Sequence, residues 1–307
     1  MSSKKQKEQR RIQRGESMKP MSPHQVSNEA LPSATLETLK ALGILTAKGG
    51  ASPKAARKVK QVAHFLNLIT PALDDIFARH EHPVIVDAGA GKAALSLAIY
   101  DRWIRPNGRG RLIAIESRSS ITQKVNMVTG HYPQLEMLSA TILNAKLPER
   151  IHMTLALHAC DQATDHAILQ GLTATSDYFA LVPCCQAELA RLLKQANTTQ
   201  QTNRALLPLW QGNLHRREFG AHYTNVLRQL VLSARGYAVT VTELIGWEHS
   251  LKNELILAKR VGRYNQKSRR ALWELLEQIP VKPWLIEMLS STLTIEESQS
   301  PSISKEL

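Results

Sequence analysis

Cysteine is scarce in this 307-residue chain, which has only three, two of them adjacent. So few thiols make a poor disulfide framework, which excludes the small disulfide-stapled classes and favours a reducing, cytoplasmic location. No apolar run approaches the roughly 18 residues that a membrane helix needs. The basic N-terminus is followed by no apolar stretch, so a secretory signal is not expected. These shortages favour a cytoplasmic globular protein that does not enter the membrane.

Acidic residues are also in short supply. Asp and Glu total 26 against 39 Lys and Arg, which gives a net charge of +13. Two segments concentrate the excess: residues 1–20 carry 7 − 2 = +5, and residues 251–270 carry 7 − 1 = +6. Clustered positive charge attracts phosphate backbones without sequence specificity, so nucleic acid, most simply RNA, is the expected partner. The alternative is that these basic segments only keep the protein soluble.

Alternating strand and helix patterns begin after His82-Pro83 and continue to about residue 262. Such alternation predicts an α/β, Rossmann-like fold, with a mostly parallel seven-stranded sheet and helices on both faces. Before it, Ser52-Pro53 has the composition of a helix start. The expected organisation is a basic disordered arm over 1–30, a helical lead-in over 31–80, an α/β domain over 81–262, and a C-terminal helical extension and tail over 263–307.

A glycine-rich loop follows the first predicted strand, in VDAGAGKAALSLA (residues 86–98). Glycine lets a ligand approach the backbone, and the following helix start presents free N–H groups. Glu116 ends the next strand, where such folds place a carboxylate for ribose hydroxyls. A dinucleotide site would want a third glycine that is absent here, whereas Asp87, Gly89 and Gly91 suit S-adenosylmethionine. A glycine turn without a ligand is the remaining alternative.

Five segments carry a resemblance to a known family: VDAGAGKAALSLA, ALHACDQATDHAI, PCCQAEL, TNVLRQL and EHSLKNELI. In order and spacing they resemble the signatures of a class I S-adenosylmethionine-dependent methyltransferase family. This group includes tRNA acceptor-stem 2′-O-methyltransferases and related methyltransferase-like domains. The resemblance covers residues 55–260 approximately, and it implies a class I methyltransferase fold with S-adenosylmethionine as methyl donor.

The chain departs from that family pattern at three positions. The family form reads GKG in the glycine loop, PCCH after the fifth strand and EHTPKN near the last strand. Here the corresponding residues are Ala93, Gln186 and the Ser250-Leu251 pair. Ala93 reads as a mild change, whereas Gln186 removes a titratable group, so an acid–base role at that position does not carry over.

The cysteines fall in LHACD and VPCC, after the predicted fourth and fifth strands. These strands are neighbours in a doubly wound sheet, so their carboxyl ends should meet beside the donor's methyl group. Three roles stay open for the cysteines. Cys185 is interpreted as a small packing residue. Cys160 or Cys184 could be a nucleophile of the kind that enzymes use to methylate C5 of cytosine. A zinc site that includes His158 has suitable ligand types but not the usual spacing, so no metal is expected.

His158 and Asp161 flank Cys160 and could accept the proton that an acceptor hydroxyl or amine loses. Alternatively, Asp161 and Asp165 could cap the following helix, and Asp165 is interpreted as such a cap or as a partner in a structural hydrogen bond. His158 is interpreted as a wall of the site, against donor or acceptor.

Further roles come from the resemblance alone. It implies that Lys58 and Gln61 close over the donor and that Thr141 lies by adenine. It also implies that Lys252 and Asn253 orient the acceptor or a phosphate, although an ordinary surface turn is the alternative. A polar stripe with Thr224 and Asn225 ends in Arg228, a candidate phosphate contact. The candidate residues are thus, for catalysis, His158, Asp161, Cys184 and Lys252; for donor binding, Asp87, Gly89, Gly91, Glu116, Thr141 and His158; and for substrate binding, Asn225, Arg228 and Asn253.

The expected function is methyl transfer from S-adenosylmethionine to RNA, at a ribose hydroxyl or a base nitrogen, with the two basic segments flanking the crevice. Two alternatives stay open: a protein or small-molecule methyltransferase whose charge is incidental, and a non-catalytic RNA-binding relic of the fold.

Overall fold

The computed structural model describes residues 31–48, 52–157, 159, 161–183, 186–196, 204–244, 254–262 and 264–294. The predicted basic arm over 1–30 lies outside the described residues. No helix in these ranges is both long and apolar enough to span a bilayer.

Seven strands form one sheet in the order β3-β2-β1-β4-β5-β7-β6. The first five strands pair in parallel, and β7 runs antiparallel to both of its neighbours. The mostly parallel seven-stranded sheet expected from the sequence is therefore confirmed. The strands are β1 (Val84–Ala88), β2 (Arg111–Glu116), β3 (Leu135–Ser139), β4 (Met153–Leu157), β5 (Tyr178–Val182), β6 (Tyr237–Glu243) and β7 (Glu254–Arg260).

Ten α-helical segments lie in the described ranges, and the third of them continues through a π-helical turn, Tyr100–Ile104, into a last turn, Arg105–Asn107. A short 3₁₀ turn, Arg204–Leu206, precedes the seventh helix. The remaining bounds are α1 (Ser33–Ala41), α2 (Pro53–Arg79), α3 (Ala94–Ile99), α4 (Ser119–Thr129), α5 (Gln162–Thr173), α6 (Glu188–Gln195), α7 (Leu207–Gln211), α8 (Asn213–Ala234), α9 (Gln266–Leu276) and α10 (Trp284–Thr294).

The long helix α2 begins where its sequence predicts. The Ser52 hydroxyl accepts a hydrogen bond from the Ala55 N–H at 3.3 Å, and Pro53 occupies the first helical position, where no N–H is needed. Its apolar stripe, including Phe65 and Ile69, is fully buried and packs in the same cluster as Ile85 of β1. The lead-in helices therefore share their core with one face of the sheet.

The opposite face of the sheet is covered by α5, α8, α9 and α10. Ile168, Leu227 and Ile286 are buried there in a second apolar cluster, together with β-strand residues such as Val86. Burial on both faces explains why the central strands are apolar throughout rather than alternating.

The antiparallel course of β7 decides where the C-terminal basic segment lies. Lys259 is paired in register with Tyr178, at the start of β5, and the Arg260 N–H donates to the Asp177 carbonyl at 2.8 Å. These contacts place the end of β7 at the amino-terminal edge of the parallel strands. The expectation that the basic residues of 251–270 flank the crevice at the carboxyl edge is therefore wrong for Lys259 and Arg260, because β7 reverses direction.

Candidate active site

The glycine loop after β1 is a tight turn with three left-handed residues. Gly89 has φ 77° and Gly91 has φ 58°, and the N–H groups of Gly89 and Ala90 both donate to the Ile115 carbonyl at 2.9 Å. A Cβ on Gly89 would lie 3.6 Å from the Cβ of Ala159. The loop is thus folded closely against the carboxyl ends of β2 and β4.

Ala93 is the third left-handed residue of this turn, with φ 59°, and it is fully buried. An L-residue with a Cβ pays about 1 kcal/mol or more in this conformation, whereas glycine does not. Alanine in place of the family's glycine therefore strains the backbone locally, so the change is not the mild one that the sequence suggests.

Asp87 is a buried carboxylate beneath the loop, 2% exposed. The Ser96 hydroxyl donates to its Oδ2 at 2.6 Å. Burial raises the pKa of Asp87 to about 6, although the Ser96 hydrogen bond and the charge of Lys58 act to lower it. Sequence reasoning missed Ser96; the available signal was a hydroxyl in the first turn of the helix that follows the glycine loop.

Glu116 ends β2 and is 5% exposed. The Arg118 guanidinium donates to its two oxygens at 2.8 and 3.0 Å, and the Arg118 N–H donates at 2.9 Å. These bonds, with the Gly91 N–H in a smaller role, hold the pKa of Glu116 below its usual value despite burial. The carboxylate is therefore ionised and fixed at the edge of the crevice.

Thr141 lies two residues beyond β3 and is exposed. Its hydroxyl accepts a bond from the Asn144 N–H at 3.3 Å. The structure thus brings Asp87, Gly89, Gly91 and Glu116 to one edge of the sheet, with Thr141 beside the third strand; the role of each in donor binding stays a prediction.

Asp161 lies just after β4 with a strained backbone, φ 54° and ψ −127°. Its Oδ1 accepts from the N–H groups of Ala187 and Glu188, each at 2.9 Å. Its Oδ2 accepts from the exposed Arg191 at 3.0 Å. The carboxylate therefore caps α6, the helix that follows β5, rather than α5, the helix that follows Asp161 itself.

Arg228 is the largest fully buried side chain among the described residues. It donates to both carboxylate oxygens of Asp165, at 2.7 and 2.8 Å, and to the Asp161 carbonyl at 2.9 Å. At 1% exposure this guanidinium cannot reach a phosphate on the surface, contrary to the sequence-based expectation. Asp165 correspondingly accepts structural hydrogen bonds within a buried ion pair, one of the two roles expected for it, and is not a helix cap.

Asn225 is also buried, at 5% exposure. Its Nδ2 donates to Glu254 at 2.8 Å, and its Oδ1 accepts from the buried Gln186 at 3.1 Å. Gln186 also donates to the Pro183 carbonyl at 3.1 Å. We call Gln186, Asn225 and Arg228 the α8 brace, because they tie α8 to the loops after β4 and β5. The expected substrate-binding role of Asn225 and Arg228 is not supported by this burial.

The remaining candidates fall outside the described residues. They are His158, Cys160, Cys184, Cys185, Lys252 and Asn253.

One grouping of metal-ligand types lies at the opposite, amino-terminal edge of the sheet: His80, His152 and Asp177, with ligand atoms within 4.8 Å of one another. The Nδ1 of His152 accepts a bond from the Val84 N–H at 2.9 Å. In a neutral ring the proton then sits on Nε2, so neither nitrogen offers a metal a free lone pair. This grouping is better explained as part of the hydrogen-bonded start of β1 and β4 than as a metal site.

Three solved structures with similar folds share little sequence with this chain. The SAH-bound methyltransferase PaMTH1 of Podospora anserina shares 13% identity with a TM-score of 0.45, covering 80% of this chain and 98% of that one. The 23S rRNA methyltransferase ErmE shares 13% identity with a TM-score of 0.39, and the match covers 68% of this chain and 75% of that one. Human N-acetylserotonin methyltransferase, in complex with SAM, shares 13% identity with a TM-score of 0.34, and the match covers 65% of this chain and 55% of that one. At TM-scores below 0.5 these similarities identify neither the donor nor the acceptor of this chain.

No curated protein shows significant similarity to the chain. Residues 57–192, which run from α2 through the glycine loop, Glu116 and Asp161 into α6, match the family model described as a methyltransferase domain.

Proposed function

We propose that this protein is an S-adenosylmethionine-dependent methyltransferase whose acceptor is RNA. The observation that carries the donor assignment is the buried Asp87 carboxylate beneath a loop with two left-handed glycines, beside the ionised Glu116. S-adenosylmethionine carries an ammonium and ribose hydroxyls, which match a carboxylate at the end of each of the first two strands. The methyltransferase-domain match over residues 57–192 supports the same assignment.

The bound donor would supply a methyl group on a sulfonium, which is already reactive. The protein's part is then to align the acceptor for in-line attack and to exclude water. In the proposal His158, Asp161, Cys184 and Lys252 surround the transferred methyl. Asp161 contributes through its backbone, which is held in its strained conformation by the α8 brace and by the cap on α6.

RNA is favoured as acceptor by charge. The net charge is +13, and exposed cations lie around the carboxyl edge: Arg57 and Lys60 at the start of α2, Lys92 in the glycine loop, and Arg118 after β2. Phosphate backbones release counterions on such a surface. The low cysteine content supports a cytoplasmic location.

The test is methyl transfer from radiolabelled S-adenosylmethionine to an extract of cells that lack the gene. We expect label that nuclease removes and protease does not, and no label with Asp87→Ala. Glu81→Ala, which removes an exposed carboxylate near the start of β1, is the control and should label normally. Protease-sensitive label would replace RNA by protein as acceptor. No label together with no donor binding would overturn the enzyme assignment in favour of a non-catalytic RNA-binding protein.

If RNA is labelled, Cys184→Ala separates two chemistries. Loss of all transfer with donor binding intact would support a thiolate nucleophile, whereas retained transfer would support placement of the acceptor alone.

A further inference from the structure

Lys58 reaches over the glycine loop from α2. Its Nζ lies 3.6 Å from the position that a Cβ on Gly91 would occupy. Its charge also acts on the Asp87 carboxylate. Within the described part of the chain, the ammonium forms no hydrogen bond or ion pair. A cation that pairs with none of the described residues is therefore held close to the backbone of the proposed donor site.

The direction of Lys58 follows from helix geometry. In an α-helix, residues spaced by three and four positions share a face. Lys58 stands four positions before Val62 and seven before Phe65, which are 1% and 0% exposed. It thus continues the inward-facing stripe of α2 one turn beyond the core. Arg57 and Lys60, about 100° and 160° away around the helix, face solvent.

Two charges of opposite sign lie at the loop. Asp87, just before it, is a buried carboxylate, and the Lys58 ammonium lies beside Gly91, near enough for its charge to act on Asp87. The amino-acid tail of S-adenosylmethionine has the complementary pair, one ammonium and one carboxylate. A nucleotide phosphate would gain from Lys58 but would be repelled by Asp87, so a zwitterion fits the pair better than an anion does.

We propose that Lys58 binds the carboxylate of the donor's amino-acid tail and so selects donors that keep this tail intact. The proposal rests on the proposed function, since it assigns a specificity-determining residue within the same site. Lys58 acts on donor affinity and not on the chemistry at the methyl group.

The test is calorimetric titration of the full-length protein with two ligands. One is S-adenosylhomocysteine, and the other is its decarboxylated form, which ends in an aminopropyl group. We expect wild type to prefer the carboxylate-bearing ligand by about tenfold or more, as a charge-assisted hydrogen bond warrants. Lys58→Met should weaken the binding of S-adenosylhomocysteine by the same factor and leave the affinity for the decarboxylated ligand unchanged, so the preference should disappear. Lys60→Met, which removes a solvent-facing lysine from the same turn, should keep the wild-type preference for the carboxylate-bearing ligand.

The outcomes separate the inference from the function on which it rests. If Lys58→Met binds S-adenosylhomocysteine as wild type does, or retains the full preference, the carboxylate contact is overturned while the donor assignment stands. If that variant instead loses affinity for a single-stranded RNA oligonucleotide with its donor preference intact, Lys58 is a phosphate contact and the inference fails. If wild type binds neither ligand, the proposed function itself fails. Because Lys58 is exposed, the melting temperatures of both variants should match wild type.

Discussion

Asp87 shows how a single residue sets the character of the site. A carboxylate that is 2% exposed has lost most of its hydration, and one hydroxyl, that of Ser96, donates to it. Burial is the largest influence on its pKa, which rises to about 6, so the free protein can hold this group neutral in mild acid. A cationic ligand would restore the ionised form.

Donor affinity should consequently depend on pH through Asp87. The folded pKa lies above the ordinary value of 3.8, so ionisation is unfavourable until pH rises through about 6. If the donor's ammonium requires the ionised form, binding should tighten about tenfold from pH 5 to pH 7 and should release a proton near pH 5.5. Titration calorimetry in buffers of different ionisation enthalpy measures both effects. A flat profile in wild type, or the same profile in Asp87→Asn, would contradict this role.

Gly91 should be required for donor binding as well as for its backbone conformation. Gly91→Ala introduces a Cβ at φ 58°, 3.6 Å from the Lys58 Nζ, whereas Gly108→Ala introduces one at φ 63° with nothing within 4 Å. Both should lose about 1 kcal/mol of stability from the left-handed backbone. Only Gly91→Ala should weaken donor binding, measured by titration calorimetry. An equal loss in Gly108→Ala would show that the effect is general strain.

At the scale of elements, the α8 brace connects pieces of chain that are far apart in sequence. Arg228 joins the Asp165 side chain and the Asp161 carbonyl, 63 and 67 positions away. Asn225 joins Gln186 to Glu254 at the start of β7. Strained residues such as Asp161 persist only where their surroundings hold them, and here the brace and the cap on α6 do so.

Removing the centre of the brace should be costly. Arg228→Met leaves the Asp165 carboxylate buried without its partner, so we expect a loss of about 3–5 kcal/mol in the free energy of unfolding. Arg191→Met breaks only a surface pair, 57% and 26% exposed, and should cost less than about 1 kcal/mol. Urea denaturation followed by circular dichroism measures both. Adding Asp165→Asn to Arg228→Met should recover part of the loss; equal costs for the two single variants would refute the buried ion pair as a stabilising contact.

At the scale of the whole molecule, the positive charge is divided between the two edges of the sheet. Lys60 and Lys92 belong to the elements around the glycine loop, at the carboxyl edge. Lys267 and Arg270, at the start of α9, lie near the amino edge, where Ser268 contacts Ser233 at 2.8 Å, close to the end of α8. An acceptor in the crevice would therefore contact Lys60 and Lys92 and not Lys267 and Arg270.

RNA binding should therefore depend on one edge. Lys60→Glu with Lys92→Glu should weaken binding of a tRNA-sized RNA and reduce the slope of log affinity against log salt by about 2, one for each lost cation. Lys267→Glu with Arg270→Glu, which changes net charge equally, should change neither quantity. Fluorescence anisotropy across a salt series gives the slopes. Equal effects from both pairs would mean that RNA also crosses the amino edge.

The sequence alone determined the features that depend on residues close together in the chain. Alternating strand and helix patterns predicted the seven-stranded sheet, Ser52-Pro53 predicted the start of α2, and the spacing of Asp87, Gly89, Gly91 and Glu116 predicted residues that gather at one edge. These predictions succeed because periodicity, capping and turn chemistry act over a few residues, and because parallel strands bring their carboxyl ends together without further information.

Only the tertiary structure decided the assignments that depend on distant contacts. Arg228 reads as a surface phosphate contact until Asp165, 63 positions earlier, is found beside it. The basic residues of β7 lie at the amino edge because that strand, alone among the seven described, runs in the opposite direction to the other six. Lys58 faces the glycine loop because α2 packs across the sheet. In each case a charged side chain is assigned by the partner or edge it meets, and the packing of remote segments, rather than neighbouring residues, sets that environment.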